Sequence, residues 1–371
     1  MNLSYWEYKT WLSNVDFTIV GSGIVGLNCA LALKNKFPKA KILILEKGVL
    51  PQGASTKNAG FACFGSISEV LSDLDSHAEE EVFQLVLKRW KGIQLLRQNL
   101  GDDTLDFQQH GGHELFVDEK SKLYEKCLDN LKKANKLLNP IFGTDAFETQ
   151  SNRFDFKRIK EKYISNIHEG QIDTGKMMLG LMNLVLSKGI TILNTIAVEQ
   201  FENIGNKVLV KTNAFEFKTS NLFIATNGFA AQLLDEKVLP ARAQVLITKP
   251  IPNLQIKGTF HLDEGFYYFR NIENRVLFGG GRNLDFQGEE TFEHGETQLI
   301  QDKLEKMLSE TILPNTPFKI ERRWSGIMGV GSMKKPIVKQ LSNNVFCGVR
   351  LGGMGVAIGS QIGDDLANLM E

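Results

Sequence analysis

Asp16-Phe17-Thr18-Ile19-Val20-Gly21-Ser22-Gly23-Ile24-Val25-Gly26 is the stretch on which the reading of this chain turns. A short, largely apolar run leads directly into three glycines at G-x-G-x-x-G spacing. A run of that kind bounded by a glycine turn fits a buried parallel strand. Residues 27–33 then read as a helix rich in small side chains. Each glycine has its own task in such a unit. Gly21 permits the tight turn, Gly23 lets backbone approach a pyrophosphate, and Gly26 lets the helix pack closely on the sheet. The N–H groups at the helix start, around Ser22, Ile24 and Val25, face the phosphates.

Lys41-Ile42-Leu43-Ile44-Leu45 is a second apolar strand, and it ends in Glu46, followed by Lys47. A carboxylate at this place accepts hydrogen bonds from ribose hydroxyls and repels a 2′-phosphate. That favours FAD or NAD over NADP. A glycine turn in an unrelated α/β protein would leave Glu46 as a coincidence.

FAD and NAD are separated by Gly53-Ala54-Ser55-Thr56-Lys57-Asn58-Ala59-Gly60-Phe61. NAD dehydrogenases usually continue here into another βα unit. A loop of small and hydroxylated residues instead lets backbone run along an extended FAD toward its isoalloxazine ring.

These residues resemble the start of the D-amino-acid-oxidase-like flavoproteins, the group of glycine oxidase, sarcosine oxidase, D-amino acid dehydrogenase and γ-glutamylputrescine oxidase. Their G-A-S-x-x-N-A-G loop is matched by Gly53 to Gly60. Gly170-Gln171-Ile172-Asp173-Thr174-Gly175-Lys176 resembles the family's opening of the next helix. Residues 191–198, ending in Val198, and the hairpin 207–212 and 216–219 resemble its β-meander. Asn221-Leu222-Phe223-Ile224-Ala225-Thr226-Asn227-Gly228 resembles the strand and loop that return to the nucleotide, and Pro240-Ala241-Arg242-Ala243-Gln244 its entry into the substrate-side sheet. Trp324-Ser325-Gly326-Ile327-Met328-Gly329 and Gly348-Val349-Arg350-Leu351-Gly352-Gly353-Met354-Gly355-Val356 complete the match. In the family the last turn leads into a helix whose N-terminus points at the flavin pyrimidine, where N–H groups and the helix dipole favour negative charge. The resemblance touches most of the chain, and its specific parts are the first loop and the last turn.

The fold expected is α/β: a Rossmann-type FAD-binding domain, a parallel sheet plus β-meander, interleaved with an α+β substrate domain holding a mainly antiparallel sheet. Pieces 1–80, 165–235 and 320–371 are expected in the first, and 81–164 and 236–319 in the second. Residues 79–99 and 120–138 have helical periodicity. Residues 266–270 and 275–278 read as a hairpin around Asn271-Ile272-Glu273-Asn274. A small ligand sits in the crevice between two such domains.

Bulk properties narrow the partners. Lys plus Arg equals Asp plus Glu, 43 against 43, so no overall field draws nucleic acid. No apolar run approaches the ~20 residues of a membrane span. Cys29, Cys63, Cys127 and Cys347 are scattered, without metal or disulfide spacing. The cytoplasm is the expected compartment.

Flavin enzymes of this kind need little acid/base machinery, because the cofactor accepts the electrons. The expected reaction is hydride loss from the carbon beside an amine or amino-acid nitrogen to the flavin, with oxygen or a carrier as electron acceptor. Tyr268 and Arg270 share a strand face, and Arg270 is a candidate bidentate clamp for a substrate carboxylate. Lys57 is a candidate to stabilise reduced flavin or assist oxygen reduction. By resemblance to glycine oxidase, Arg350 is a candidate substrate contact, although the spacing of its turn differs. A second substrate arginine of that family falls near Met328, where this chain has none, which favours a bulkier amine, a peptide-linked group or an N-substituted amino acid. Sarcosine oxidase holds its flavin through a Cys near the counterpart of 325–329; none stands here, so the FAD is expected to be non-covalent. His110-Gly111-Gly112-His113 reads as a turn before a strand rather than a metal pair. The alternatives are a non-catalytic flavin-binding sensor or assembly protein, and an oxidase of a modified peptide or nucleoside.

Overall fold

Every side chain of the strand Ile42–Leu45 is buried, and five of the six in Val15–Val20. Such strands need cover on both faces, and the computed structural model, which describes residues 2–118 and 121–370, supplies it. The strands run in the order Ile337–Ser342, Val345–Val349, Glu216–Ile224, Val15–Val20, Ile42–Leu45, Thr191–Leu193. All neighbours are parallel except the edge pair of Ile337–Ser342 with Val345–Val349.

Segments 216–219 and 221–224, read separately in the sequence, form one strand, Glu216–Ile224. Its first half pairs antiparallel with Lys207–Thr212 of the meander, and the rest pairs parallel with Val15–Val20. Thr219 is the hinge between the two, since it lies opposite both Val208 and Val15.

The helix Ile24–Lys36 is buried nearly all round, which explains its lack of a polar stripe. The helix Gly355–Ala367 lies directly on it. A Cβ on Gly363 would come within 2.7 Å of the Val25 carbonyl oxygen, so only glycine permits that approach. The helix Glu79–Leu100, expected in the inserted part, crosses the same Gly355–Ala367 helix and sends Ile93 and Leu96 into the nucleotide-side core.

A second sheet runs Ile320–Val330, Leu239–Thr248, Arg275–Gly280, Tyr267–Ile272, Thr259–Leu262, Gly112–Leu115, Lys162–Asn166, Phe147–Ser151. It is antiparallel apart from the Thr259–Leu262 and Gly112–Leu115 pair. The strand Ile320–Val330, expected within the nucleotide-binding piece 320–371, pairs along its length with Leu239–Thr248 in this sheet. The chain returns to the first sheet only at Ile337. The second sheet is backed by Phe156, Phe260, Phe269 and Phe278, a run of edge-on and stacked rings. The helix read at 120–138 covers Ser121–Phe142, with Lys120 outside the described residues. Among the described residues no helix is long and apolar enough to cross a membrane.

Candidate flavin and substrate site

The glycine turn behaves as its spacing requires. Gly21 has φ 103° and donates its N–H to the Leu45 carbonyl at 2.8 Å, tying turn to second strand. A Cβ on Gly26 would lie 2.0 Å from the Gly21 carbonyl oxygen. Glu46 is held by its surroundings: Oε2 accepts from the Ser22 N–H at 3.1 Å and hydroxyl at 2.9 Å, and Oε1 from the Gly48 N–H at 2.9 Å. The fourth acceptor site takes the Gln52 N–H at only 3.4 Å, the longest of the four bonds and the one a ribose hydroxyl would displace. The Ser55 hydroxyl accepts the Ile24 N–H at 3.0 Å, drawing the 53–61 loop onto the helix start. Lys47 places its ammonium 3.5 Å from the centre of the Phe229 ring.

A cavity of about 890 Å³ begins at this turn and continues between the two sheets. Its wall takes in Gly21, Gly23, Ile24, Val25, Glu46, Lys47, Ser55, Lys57, Asn58, Ala59, Gly60 and Phe61 from the first part of the chain. Val198, Ala225, Thr226, Asn227, Gly326, Arg350 and the turn Gly352, Gly353, Met354, Gly355, Val356 join from the rest. Ser22, Gly26 and Thr56, expected beside them, stand behind the wall. Ser22 braces Glu46, Gly26 packs on Gly21, and the Thr56 hydroxyl donates to the Pro51 carbonyl at 2.7 Å.

The cavity fits FAD. A Cβ on Gly352, at φ 61°, or on Gly355 would meet nothing within 4 Å, so these backbones open onto ligand space. Thr226 Oγ1, on the wall, is buried without a hydrogen-bond partner. The starts of the Ile24–Lys36 and Gly355–Ala367 helices, from opposite ends of the chain, both reach this space. Asn58 fixes the loop, donating to the Ser55 carbonyl at 2.8 Å and accepting from the Gly60 N–H at 2.8 Å and the Thr174 hydroxyl at 2.9 Å.

The arginines depart from expectation. Arg270 shares a strand face with Tyr268, but it is 3% exposed and not on the cavity wall. Its Nε donates to the Ala59 carbonyl and its Nη2 to the Ile172 carbonyl at 2.9 Å. Burial lowers its pKa to about 10 against the pull of Asp173 and Asp106. Arg270 therefore supports the flavin-side loop from beneath instead of clamping a substrate. Arg350 reaches the wall, with backbone φ 65°, but its guanidinium donates to the carbonyls of Lys335 at 2.9 and 3.1 Å and Lys237 at 3.3 Å. It braces the turn. Tyr268 does line the cavity, beside Phe61 at 5.7 Å between ring centres, and burial pushes its hydroxyl up to about 12. Lys57 also lines it, and among the described residues its ammonium forms no ion pair. The expected gap at Met328 is on the wall. His113 is buried and within 2.8 Å of the Ser165 hydroxyl, while His110 contacts Gln108, so the two histidines do not converge.

Sequence reading missed the charged end of the cavity. Glu69, Ser72 and Asp73 from the helix Ile67–Ser76 line it, with Arg89 from Glu79–Leu100, His261 from Thr259–Leu262, and Lys334. The strand registers set Val245, Gly279, Tyr268, His261 and Glu114 side by side across one sheet face. His261 Nε2 is 2.6 Å from Glu169 Oε1. Cys63 completes a group of three in which ligand atoms lie within 4.8 Å of one another. Burial disfavours the imidazolium, but Glu169, with Glu69 and Glu114, outweighs it and raises His261 to about 9. Asp73 pairs with Lys334 at 2.6 Å and lies 4.0 Å from Arg89. The one signal in the sequence was Ser66-x-x-Glu69, a capping box that starts the helix.

A dinucleotide cradle assembled from distant segments of the chain and roofed by a mostly antiparallel sheet defines a flavoprotein. The FAD dependent oxidoreductase family, DAO, matches residues 16–369, and the chain belongs to it, with FAD as its cofactor. The chain is 21% identical to a probable oxidoreductase, OrdL, of Haemophilus influenzae, over 94% of this chain and 81% of that protein. Its fold is similar to L-proline dehydrogenase from P. horikoshii, with TM-score 0.76 and 18% identity over 96% and 93% of the two chains. Glycine oxidase from Geobacillus kaustophilus gives TM-score 0.75 and 17% identity over 96% and 95%.

Proposed function

We propose that this oxidoreductase breaks a C–H bond beside nitrogen in a small amine or amino acid, oxidising the C–N bond, with FAD held non-covalently. The observation that carries this reading is the continuity of the cavity from the nucleotide cradle to a region lined by Tyr268, Met328, Glu69 and His261. Bound FAD supplies the acceptor for the electron pair. Tyr268 and Phe61 shape the cavity, and Lys57 and the glycine turn at 352–355 would hold the flavin, offering a cation and backbone N–H groups to it.

Within this reading, an N-substituted amine or one without a free α-carboxylate is favoured. The guanidinium groups of Arg270 and Arg350 are both engaged by backbone carbonyls, and position 328 is methionine. Non-covalent attachment is supported by the absence of cysteine from 325–329. The test is anaerobic bleaching of the flavin's visible absorption by D- and L-amino acids, N-methyl amino acids and polyamines. Bleaching by one class supports amine oxidation, and admitting air then distinguishes oxygen from a carrier as acceptor. A flavin that dithionite reduces and no amine bleaches would replace this reading with a non-catalytic flavoprotein.

A further inference from the structure

Five acids stand in or behind the charged chamber; three are engaged by other groups and a fourth faces solvent. Glu169 is held by His261 and by the Thr259 hydroxyl at 2.8 Å. Glu114 is 2% exposed and accepts from the Ser68 N–H at 3.0 Å and the Ser68 hydroxyl. Asp73 is paired with Lys334, and Glu264 lies exposed on the following turn.

Glu69 is different. Its Oε2 accepts the Ser66 N–H at 2.9 Å, which fixes the side chain through the capping box. Among the described residues its Oε1 takes no hydrogen bond, and a Cβ on Gly265 would come within 2.9 Å of it. Glycine at 265 thus leaves room for the carboxylate on the cavity wall. His261 Nδ1 lies 3.9 Å behind it, and Glu169 lies beyond on the other ring nitrogen.

An amine with a pKa near that of lysine, about 10.4, arrives at neutral pH as an ammonium with no lone pair on nitrogen. Oxidation beside that nitrogen requires the neutral amine. We propose that Glu69 receives the ammonium proton, with His261 and Glu169 as the positioning pair behind it; this rests on the amine reading above. In the step one N–H bond breaks, its electron pair stays on nitrogen, and an O–H bond forms on Glu69. No electron leaves the substrate in that transfer. The titratable groups around His261 are Glu169 and Cys63, Glu69 from the Ile67–Ser76 helix, and Glu114 and His113 from the neighbouring strand.

The test compares wild type, Glu69→Gln and Glu169→Gln as flavin-loaded proteins, using whichever amine bleaches the wild type. Glu69→Gln should reduce its flavin about 100-fold more slowly at pH 7, the lower range for a lost proton acceptor. That deficit should shrink as pH rises and close above the ammonium's own pKa, where solvent delivers free amine. A merely structural role would leave a deficit parallel to wild type at every pH, and that result overturns the assignment. Histidine-selective ¹⁵N NMR provides a readout without turnover. His261 should carry both ring protons through pH 8 in wild type and lose one below pH 8 in Glu169→Gln. A neutral His261 at pH 7 in wild type also overturns it. Failure of every amine to bleach wild type removes the amine reading and this assignment together, whereas bleaching with an unaltered Glu69→Gln profile removes Glu69 alone.

Discussion

Arg270 stands with its Nη2 2.9 Å from the Ile172 carbonyl oxygen, joining the second sheet to the segment that opens the Thr174–Ser187 helix. Its Nε reaches the Ala59 carbonyl in the flavin-side loop, so a single buried guanidinium ties three parts of the chain together.

Replacing Arg270 by Leu leaves two buried carbonyls without donors, a cost of about 2–6 kcal/mol at 1–3 kcal/mol for each unmade bond. The expected outcome is a lower melting temperature and faster flavin loss, without a selective rise in KM for acidic substrates. Thermal melts and flavin retention on gel filtration measure the first two. A selective KM effect with unchanged stability would return Arg270 to a substrate-binding role.

Glu46→Gln replaces an acceptor carboxylate with an amide whose NH₂ faces donors on Ser22 or Gly48. FAD affinity should fall at least tenfold, about 1.4 kcal/mol or more, within the range for hydrogen bonds to charged groups. Quenching of flavin fluorescence on titration of apoprotein reads this directly. An unchanged Kd would show that the ribose is held elsewhere.

Gly363→Ala puts a methyl group against the Val25 carbonyl and the Asn28 side chain. Pushing the two helices apart should cost about 1–3 kcal/mol and weaken flavin binding with it, since both helices start on the cavity wall. Gly205→Ala, where a Cβ meets nothing within 4 Å in the meander, serves as a control with strain at φ 65° but no clash. Flavin binding in that variant should stay unchanged.

His113 sets an acid limit. Burial, with help from Arg153 and His261, lowers it to about 3 from an ordinary 6.5. Below pH 6.5 the unfolded chain takes up a proton that the folded chain refuses, so stability falls as pH drops from 6.5 toward 3, by up to about 1.4 kcal/mol per pH unit. His113→Gln removes that slope. Once the variant's constant deficit at pH 7 is subtracted, melting temperatures between pH 7 and 4.5 should diverge as pH falls, the wild type dropping faster.

The nucleotide-binding half was legible because its constraints are local. Gly21, Gly23, Gly26 and Glu46 are fixed by turn, helix start and strand end within one βαβ stretch, and the loop 53–61 follows at once. Arg270 and Arg350 were read as ligand-facing because charge near a cofactor suggests a substrate. Only the tertiary structure shows that backbone carbonyls from residues 59, 172, 237 and 335 reach them first. Glu69, His261 and Glu169 share no spacing in the sequence. They meet because Thr259–Leu262 pairs with Gly112–Leu115, beside which Glu169 is held, and because the Ile67–Ser76 helix brings Glu69 to the other ring nitrogen; neither is visible along one chain.

The helix Gly355–Ala367 rests on Ile24–Lys36, so the earliest and latest of the wall-forming helices must meet before the cradle exists. During synthesis the glycine turn emerges long before its cover, and a ribosome stalled short of residue 355 would expose an incomplete site. Flavin loading is thereby expected only after the segment 355–367 has been made. Fragments that stop before residue 355 should remain colourless, so the yellow of the purified protein reports on the presence of that helix as well as on cofactor supply.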